Sequence, residues 1–259
     1  MSTFAHAVHD SRTMLRRNLK HAIRYPSVGL GAAMMPILML LLFVYAFGGS
    51  IGAGMGGRDA YIGYLTPGII VMGVAAGSMS TSIAVCNDMT EGIINRFRTM
   101  NITRSSFLTG HVIGSVIQTM LCCVPVVGVA LAIGFRSGAS PLRWLAAAGL
   151  LAAVAFAVTW LSVALGLISK TVESASNKPL LIQFLPFLGS AFVPAGSMSP
   201  GLRWFAENQP FTPVIETLRG LLCGTAIGDN GWISLAWCAG IALIGYLWSR
   251  SLFNSSTKH

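Results

Sequence analysis

Six long apolar runs dominate this 259-residue chain and leave few classes of fold open to it. A run of about 20 mostly apolar residues is long enough to cross the hydrocarbon core of a membrane as a helix. A soluble domain could not hide so many, because charged residues make up only 10% of the chain against about 25% in globular proteins. We therefore predict a single-domain, all-α integral membrane protein. The six predicted spans are residues 28–50, 64–86, 107–133, 142–168, 179–197 and 232–250. Pro186 and Pro194 predict a kinked or broken helix in the fifth.

Positive charge is distributed unevenly between the connections that join these runs. Twelve of the 17 Lys and Arg residues lie on the side of the two termini, and five lie on the opposite side. Because cytoplasmic loops of membrane proteins carry the excess of Lys and Arg, we predict a multi-pass protein of the cell membrane with both termini in the cytoplasm. The formal net charge of +9 then indicates topology and contacts with lipid headgroups rather than nucleic-acid binding.

Two segments outside the spans have the pattern of amphipathic helices on the cytoplasmic surface. In residues 1–27, apolar side chains recur on one helical face while basic residues cover the remainder, which predicts an interfacial helix. A solvated basic tail is the alternative. Residues 87–101, between the second and third spans, carry a shorter stripe that includes Ile93 and Phe97. This stripe predicts a docking element for a soluble partner, although a solvated loop helix would explain it equally well.

The connection between the last two spans, residues 198–231, carries signals for two short helices. A hydroxyl residue followed by proline is typical of helix starts, and this pair occurs twice, as Ser199-Pro200 and Thr212-Pro213. The second predicted helix, 213–223, would rise about 16 Å, roughly half the thickness of the hydrocarbon core. We therefore predict an extracellular re-entrant hairpin in which Glu216 and Arg219 pair at i,i+3 spacing. A purely structural ion pair and a role in gating or cargo contact both stay open.

Sequence signatures of an enzyme are missing from the chain. No GxSxG elbow, HExxH pair or Cys/His metal spacing occurs, and none of the four lysines follows a glycine, so a GxxxxGK[ST] nucleotide loop cannot be written. We therefore predict no catalytic residue, no metal site and no cofactor on this chain; any nucleotide must be bound by another chain. Ion-driven carriers usually hold an ionisable residue at mid-membrane. The nearest candidate, His111, is expected to be interfacial, which disfavours a secondary transporter.

Two stretches of the chain resemble motifs of a known transporter family. The first is EGIINRFR at 91–98, followed by Arg104 and Gly110, and the second is QPFTPVIETLRGLL at 209–222. Both resemble motifs of type-2 ABC permeases, most of all those of the daunorubicin/doxorubicin-resistance branch, which is related to nodulation-factor and polysaccharide exporters. The resemblance covers nearly the whole chain, with six spans, an N-terminal interfacial helix and both motifs in order. One departure from the family's pattern is Asn101, where relatives usually have proline. Without that proline, the end of the coupling helix at 87–101 is less sharply defined.

This resemblance implies the membrane permease subunit of an ATP-driven exporter. The cargo would be hydrophobic or amphipathic, such as a drug, lipid or glycolipid, moved out of the cytoplasm or the inner leaflet. Two permease subunits, identical or homologous, would sit on two ABC ATPase subunits that bind ATP and Mg, with membrane lipids as further partners. The implied site residues form a coupling group, an outer gate group and a cargo-path group. The coupling group is Glu91, Gly92, Ile93, Arg96, Phe97 and Arg98; the gate group is Pro210, Thr212, Pro213, Glu216 and Arg219; the path group is Ser78, Thr81, Ser82, Phe184, Phe187 and Phe192.

Other functions compete with this interpretation. Packing between helices explains each residue of the path group at least as well as contact with cargo. A membrane scaffold or assembly factor that works without ATP is the alternative for the whole chain. Co-purification separates the two, since an exporter subunit should be isolated together with an ATPase chain.

Overall fold

Helices account for most of the structure. The computed structural model describes residues 26–90 and 104–255, with side chains described over 33–90 and 108–253. Within these ranges the chain forms helices and connections without any strand, so the predicted all-α membrane architecture is confirmed. The helices, numbered in chain order, are α1 (Pro26–Leu42), α2 (Gly48–Ala53), α3 (Arg58–Thr90), α4 (Arg104–Ala132), α5 (Pro141–Leu167), α6 (Val172–Asn177), α7 (Leu180–Phe184), α8 (Pro200–Asn208), α9 (Phe211–Cys223) and α10 (Asn230–Ser255). A π-helical turn, Phe43–Phe47, joins α1 to α2, and 3-10 turns occupy Leu185–Leu188 and Ala195–Ser197.

Five stretches of the described residues are helical, long and apolar enough to cross a membrane. They are Ala33–Ala53, Arg58–Thr90, Leu108–Ala132, Pro141–Leu167 and Asn230–Phe253. The run predicted as the fifth span, 179–197, does not form one helix: α7 gives way to a 3-10 turn at Leu185, and the chain turns from Gly189 onward. Pro186 and Pro194 explain the interruption, because proline lacks an N–H and its ring clashes with the preceding helical turn. The helix in this run is therefore broken, as the two prolines predict, while the number of membrane crossings stays a prediction.

The two predicted surface helices fall largely outside the described residues. Of the N-terminal helix predicted at 1–27, only Pro26 and Ser27 are described, and they form the start of α1. Of the coupling segment predicted at 87–101, residues 87–90 form the last turn of α3, and 91–101 lie outside the described residues. The second span and the start of the predicted coupling segment therefore belong to one helix.

The predicted hairpin at 198–231 contains two helices, as its proline signals indicate. α8 begins at Pro200 as predicted, whereas α9 begins at Phe211 rather than at Pro213. Thr212 is therefore not the capping residue; it lies within the first turn, where Pro213 is tolerated because these positions lack intrahelical acceptors for an N–H. α9 ends at Gly224, as predicted, and the φ of 80° there is a left-handed conformation that favours glycine.

α3 forms the centre of the bundle. It packs against α1, α4, α5 and α9, and its middle section is mostly buried. A β-carbon at Gly77 of α3 would overlap the side chain of Thr119 of α4, so the absence of a side chain lets these two helices approach closely. α9 packs against α3, α5 and α10, and ten of its 13 residues are buried. A short helix of half a span is thus enclosed by three long ones.

Candidate functional site

A buried arginine joins three segments of the chain at the gate group. Arg219 lies on α9, and only 5% of its surface is exposed. Its Nη1 donates to Oε1 of Glu216 at 2.6 Å, which is the ion pair that the i,i+3 spacing predicts. Its Nη2 donates to the carbonyl oxygens of Ser190 (2.9 Å) and Tyr64 (3.1 Å), and its Nε donates to the Tyr64 oxygen at 3.2 Å. The guanidinium also lies over the Tyr64 ring, 3.6 Å from the centroid.

These contacts explain why a full charge is tolerated inside the protein. Burial of an arginine is acceptable when a counter-charge is close and the N–H groups have acceptors. Ser190 offers its carbonyl because the preceding 3-10 turn ends at Leu188, and the same oxygen accepts from the Tyr64 hydroxyl at 2.9 Å. The side chain of Glu216, in contrast, remains 33% exposed. The arginine therefore holds α9 against α3 and the segment after α7, while its counter-ion reaches the surface.

The end of α9 is held by two further hydrogen bonds. Pro67 lies inside α3 and has no N–H, so the carbonyl oxygen of Gly63 loses its usual helical donor. The thiol of Cys223 takes that place, with Sγ 3.4 Å from the Gly63 oxygen. Cys223 is exposed at the end of the helix, but its partial desolvation raises the pKa of the thiol, and the nearby charge of Arg219 opposes this only in part, so the thiol keeps the proton that it donates. From another side, the hydroxyl of Ser137 donates to the Leu222 oxygen at 2.6 Å.

The other end of α9 packs on the backbone of Gly189. Gln209 is buried just before the helix, and its Nε2 donates to Oγ1 of Thr212 at 3.3 Å. A β-carbon at position 189 would lie 2.8 Å from that hydroxyl and would overlap Nε2 of Gln209. Pro210 immediately precedes the helix, and the carbonyl of Pro213 accepts from the Thr217 hydroxyl at 2.7 Å. All five residues of the gate group therefore lie on or beside one buried helix.

The aromatic members of the path group lie together. The rings of Phe184 and Phe187 are 5.9 Å apart, and those of Phe187 and Phe192 stack at 5.1 Å. Phe192 also contacts Phe43 of the π-helical turn at 4.3 Å. Phe184 is 54% exposed whereas Phe192 is buried, so the row of rings runs from the surface into the bundle.

The hydroxyl members of the path group make separate contacts. The buried hydroxyl of Ser78 donates to the Ala75 oxygen at 2.6 Å, and that of Thr81 donates to the Gly77 oxygen at 3.4 Å. Ser82 is buried, and its backbone lies against Gly166 of α5. No hydrogen bond or ring contact within the described part of the chain joins these three residues to the aromatic row. Their contacts are those of helix packing.

Several residues that make buried polar contacts were not predicted from the sequence. Tyr64 and Ser190 contact Arg219 mainly through backbone carbonyls, which any residue possesses, so no sequence signal marks them. Gln209, a buried polar residue before Pro210, carried a usable signal, because polar side chains inside a membrane bundle are rare. A second buried pair lies near the opposite end of α3, where Oδ2 of Asp88 is 2.8 Å from Nε2 of His111.

All six coupling residues, from Glu91 to Arg98, lie outside the described residues, so their role stays a prediction. Over 26–90 and 104–255, no group of three or more His, Cys, Asp and Glu side chains is placed to hold a metal ion. Arg219 makes contacts that hold a helix in place. Among the groups that it contacts, no nucleophile is paired with a base.

The chain is similar over most of its length to membrane subunits of transporters. Residues 10–223 match the family model of the ABC-2 type transporter. The chain is 25% identical over 256 residues to "Daunorubicin resistance ABC transporter permease protein DrrB1" of Streptomyces coeruleorubidus, an alignment covering 98% of this chain and 89% of the relative. It is 24% identical over 219 residues to "Probable doxorubicin resistance ABC transporter permease protein DrrC" of Mycobacterium tuberculosis, covering 83% and 77%. The transport permease ycf38 of Porphyra purpurea is 27% identical over 225 residues, covering 84% and 75%.

Proposed function

The chain belongs to the ABC-2 type transporter family, and from that premise we propose that it is the permease of an exporter driven by ATP on a partner chain. The cargo would be hydrophobic or amphipathic and would leave the cytoplasm or the inner leaflet. Two relatives are named for resistance to daunorubicin and doxorubicin, which supports an amphipathic drug as the first cargo to test. The protein would lie in the cell membrane with both termini in the cytoplasm.

The proposed mechanism rests on the continuity of α3. Its 33 residues, Arg58–Thr90, form one helix, which rises about 50 Å. Near its outer end, Tyr64 holds Arg219 through its carbonyl and its ring. Its other end leads directly into the coupling segment. A displacement of that segment by an ATPase would therefore be transmitted along one helix to the acceptors of Arg219.

Coupling would occur through the segment at 91–101. Two ATPase subunits, binding ATP and Mg, would contact two permease subunits, identical or homologous. Glu91 and Arg96 would make polar contacts in a cleft of the ATPase, while Ile93 or Phe97 supplies the apolar anchor. Gly92 and Arg98 complete the group.

Cargo would leave past the hairpin. With Arg219 bound to Glu216, Tyr64 and Ser190, α9 is held in the bundle. Release requires those carbonyl acceptors to be exchanged for water or for polar groups of the cargo. The aromatic row from Phe184 to Phe192 offers the apolar surface that a planar, amphipathic molecule would follow.

Inside-out vesicles provide the test. The chain is co-expressed with the ATPase that co-purifies with it, and the uptake of daunorubicin into the vesicles is followed by its fluorescence. Uptake should require both chains and hydrolysable ATP. Controls are vesicles with the permease alone and vesicles given a non-hydrolysable ATP analogue. Isolation of the chain without any ATPase, together with uptake that is independent of ATP, would favour the scaffold alternative.

A further inference from the structure

An apolar groove opens on the surface of the bundle, and neither Arg219 nor a member of the aromatic row is among its lining residues. It is bounded by α5, α9 and α10, and its volume is about 450 Å³. That volume falls within the range of about 300–1,000 Å³ that is typical of small-molecule sites. Gly149 and Leu150 line one wall, Leu221 the second, and Trp232 and Leu235 the third. The proposed transport mechanism makes no use of this groove.

The chemistry of the groove selects an apolar chain. Only Thr217, with its hydroxyl, and Trp232, with its indole N–H, bring a polar side-chain group to the lining, and the Thr217 hydroxyl is already engaged. That hydroxyl donates to the Pro213 oxygen at 2.7 Å and lies 3.0 Å from the hydroxyl of Ser234. The indole N–H of the exposed Trp232 is therefore the side-chain donor that a ligand would meet, and the remaining lining is apolar. A β-carbon added at Gly149 would meet no atom within 4 Å, so the space there is open.

The mouth of the groove carries a cation and an exposed indole. Arg143 lies on α5 one turn before Ala146, which lines the groove, and residues at i and i+3 share a helical face. Its Nη1 lies 3.8 Å from the position that a β-carbon on Gly224 would take, at the end of α9. Among the described residues Arg143 forms no ion pair. Trp232, on the opposite rim, is 79% exposed. Arg143 and Trp232 are each the third residue of a long apolar helix, the end at which charged and aromatic side chains meet the headgroup region of a bilayer.

We infer that this groove binds one acyl chain of a glycerophospholipid, whose phosphate lies at Arg143. An apolar slot below a guanidinium that has no ion-pair partner among the described residues matches the two halves of such a molecule, and phosphate is an anion that guanidinium binds well. The bound chain fills the space between α5, α9 and α10 and thereby supports α9 in its position. Because binding is measured without transport, the test below does not depend on the proposed function.

The groove is tested by lipid retention. The purified full chain, with any subunits that co-purify, is transferred to detergent and titrated with dioleoyl phosphatidylglycerol or with dioleoylglycerol, and native mass spectrometry counts the bound lipids. Gly149→Leu should abolish one phosphatidylglycerol site per chain by filling the groove. Gly128→Leu is the matched control, because Gly128 of α4 is also exposed and helical with no atom within 4 Å of an added β-carbon. It should retain the lipid as the wild type does.

A charge variant tests the headgroup separately. Arg143→Gln should weaken retention of phosphatidylglycerol by about tenfold, because a charge-assisted hydrogen bond is lost. Retention of dioleoylglycerol, which has no phosphate, should not change. Equal retention by Gly149→Leu and wild type would overturn the inference, as would equal loss in Gly149→Leu and Gly128→Leu. If Gly149→Leu instead changed the number of protein chains in the complex and left lipid retention unchanged, the inference would be overturned. The groove would then bind a second copy of this chain.

Discussion

Replacement of Arg219 by methionine is expected to lower the free energy of unfolding by about 2–4 kcal/mol. Methionine keeps a long, unbranched and flexible stem but removes every hydrogen-bond donor. Three acceptors are then affected: the carboxylate of Glu216 and the carbonyl oxygens of Tyr64 and Ser190. The stacking of the guanidinium on the Tyr64 ring is lost as well.

The size of the effect follows from what each acceptor retains. Removing one partner of a fully buried charge pair costs about 3–5 kcal/mol. Glu216 is 33% exposed, so solvent takes over part of its charge and the cost falls below that range. A buried carbonyl without a donor costs about 1–3 kcal/mol. Ser190 keeps the Tyr64 hydroxyl as a donor, and the Tyr64 oxygen lies inside α3, where the N–H of Gly68 is its helical donor. Neither carbonyl is left without a donor, so this cost stays at the lower end of that range.

Two further variants separate the buried network from a simple ion pair. Glu216→Gln should cost less than Arg219→Met, because Arg219 keeps its bonds to the two carbonyl oxygens, but more than about 1 kcal/mol, because the buried guanidinium loses its counter-charge. The charge swap Glu216→Arg with Arg219→Glu would restore a simple i,i+3 pair. It should fail here, since a carboxylate at position 219 would face the carbonyl oxygens of Tyr64 and Ser190.

Thermal unfolding in detergent measures these differences. Each purified variant is heated, and the remaining monodisperse fraction is followed by size-exclusion chromatography. Arg219→Met should melt at least about 5 °C below the wild type, given the usual relation between stability and melting temperature. Arg219→Lys, which keeps the charge but loses the planar fork, should lie between them. A wild-type melting temperature for Arg219→Met or for the charge swap would refute the reasoning.

Three other predictions address coupling, packing and topology. Phe97→Ala should lower transport and uncouple ATP hydrolysis without blocking membrane insertion, because an aromatic anchor contributes about 2 kcal/mol to docking; unchanged transport would exclude the anchor. Gly189→Ala should cost about 1–3 kcal/mol in thermal unfolding, because its β-carbon overlaps Gln209. Gly201→Ala in α8, where the β-carbon meets nothing within 4 Å, should be neutral. In a background without native cysteines, Arg136→Cys should react with an impermeant reagent from outside and Lys170→Cys only after permeabilisation; the reverse order would contradict the predicted orientation.

The sequence determines the helices here better than it determines the contacts between them. Apolar length alone located the long helices, and i,i+3 spacing predicted the pair of Glu216 and Arg219. The start of α9 was misjudged because Pro213 can occupy any position of a first turn, so it does not fix where the helix begins. Asp88 and His111 lie 23 residues apart, and their contact depends on how α3 and α4 pack. The backbone acceptors of Arg219 could not be predicted from the sequence, because every residue has a carbonyl oxygen.

The π-helical turn Phe43–Phe47 gives the first span a tolerance to changes in length. Such a turn holds one residue more than an α-helical turn would, and each residue of an α-helix rotates the chain by about 100°. Deletion of one residue from this turn would restore a regular α-helix and leave the faces of α1 and α2 unchanged. A deletion farther along α1 would instead swing buried side chains, such as Ala33 or Leu40, away from the bundle. Natural insertions and deletions in the first span should therefore concentrate at this turn, where the bundle need not repack.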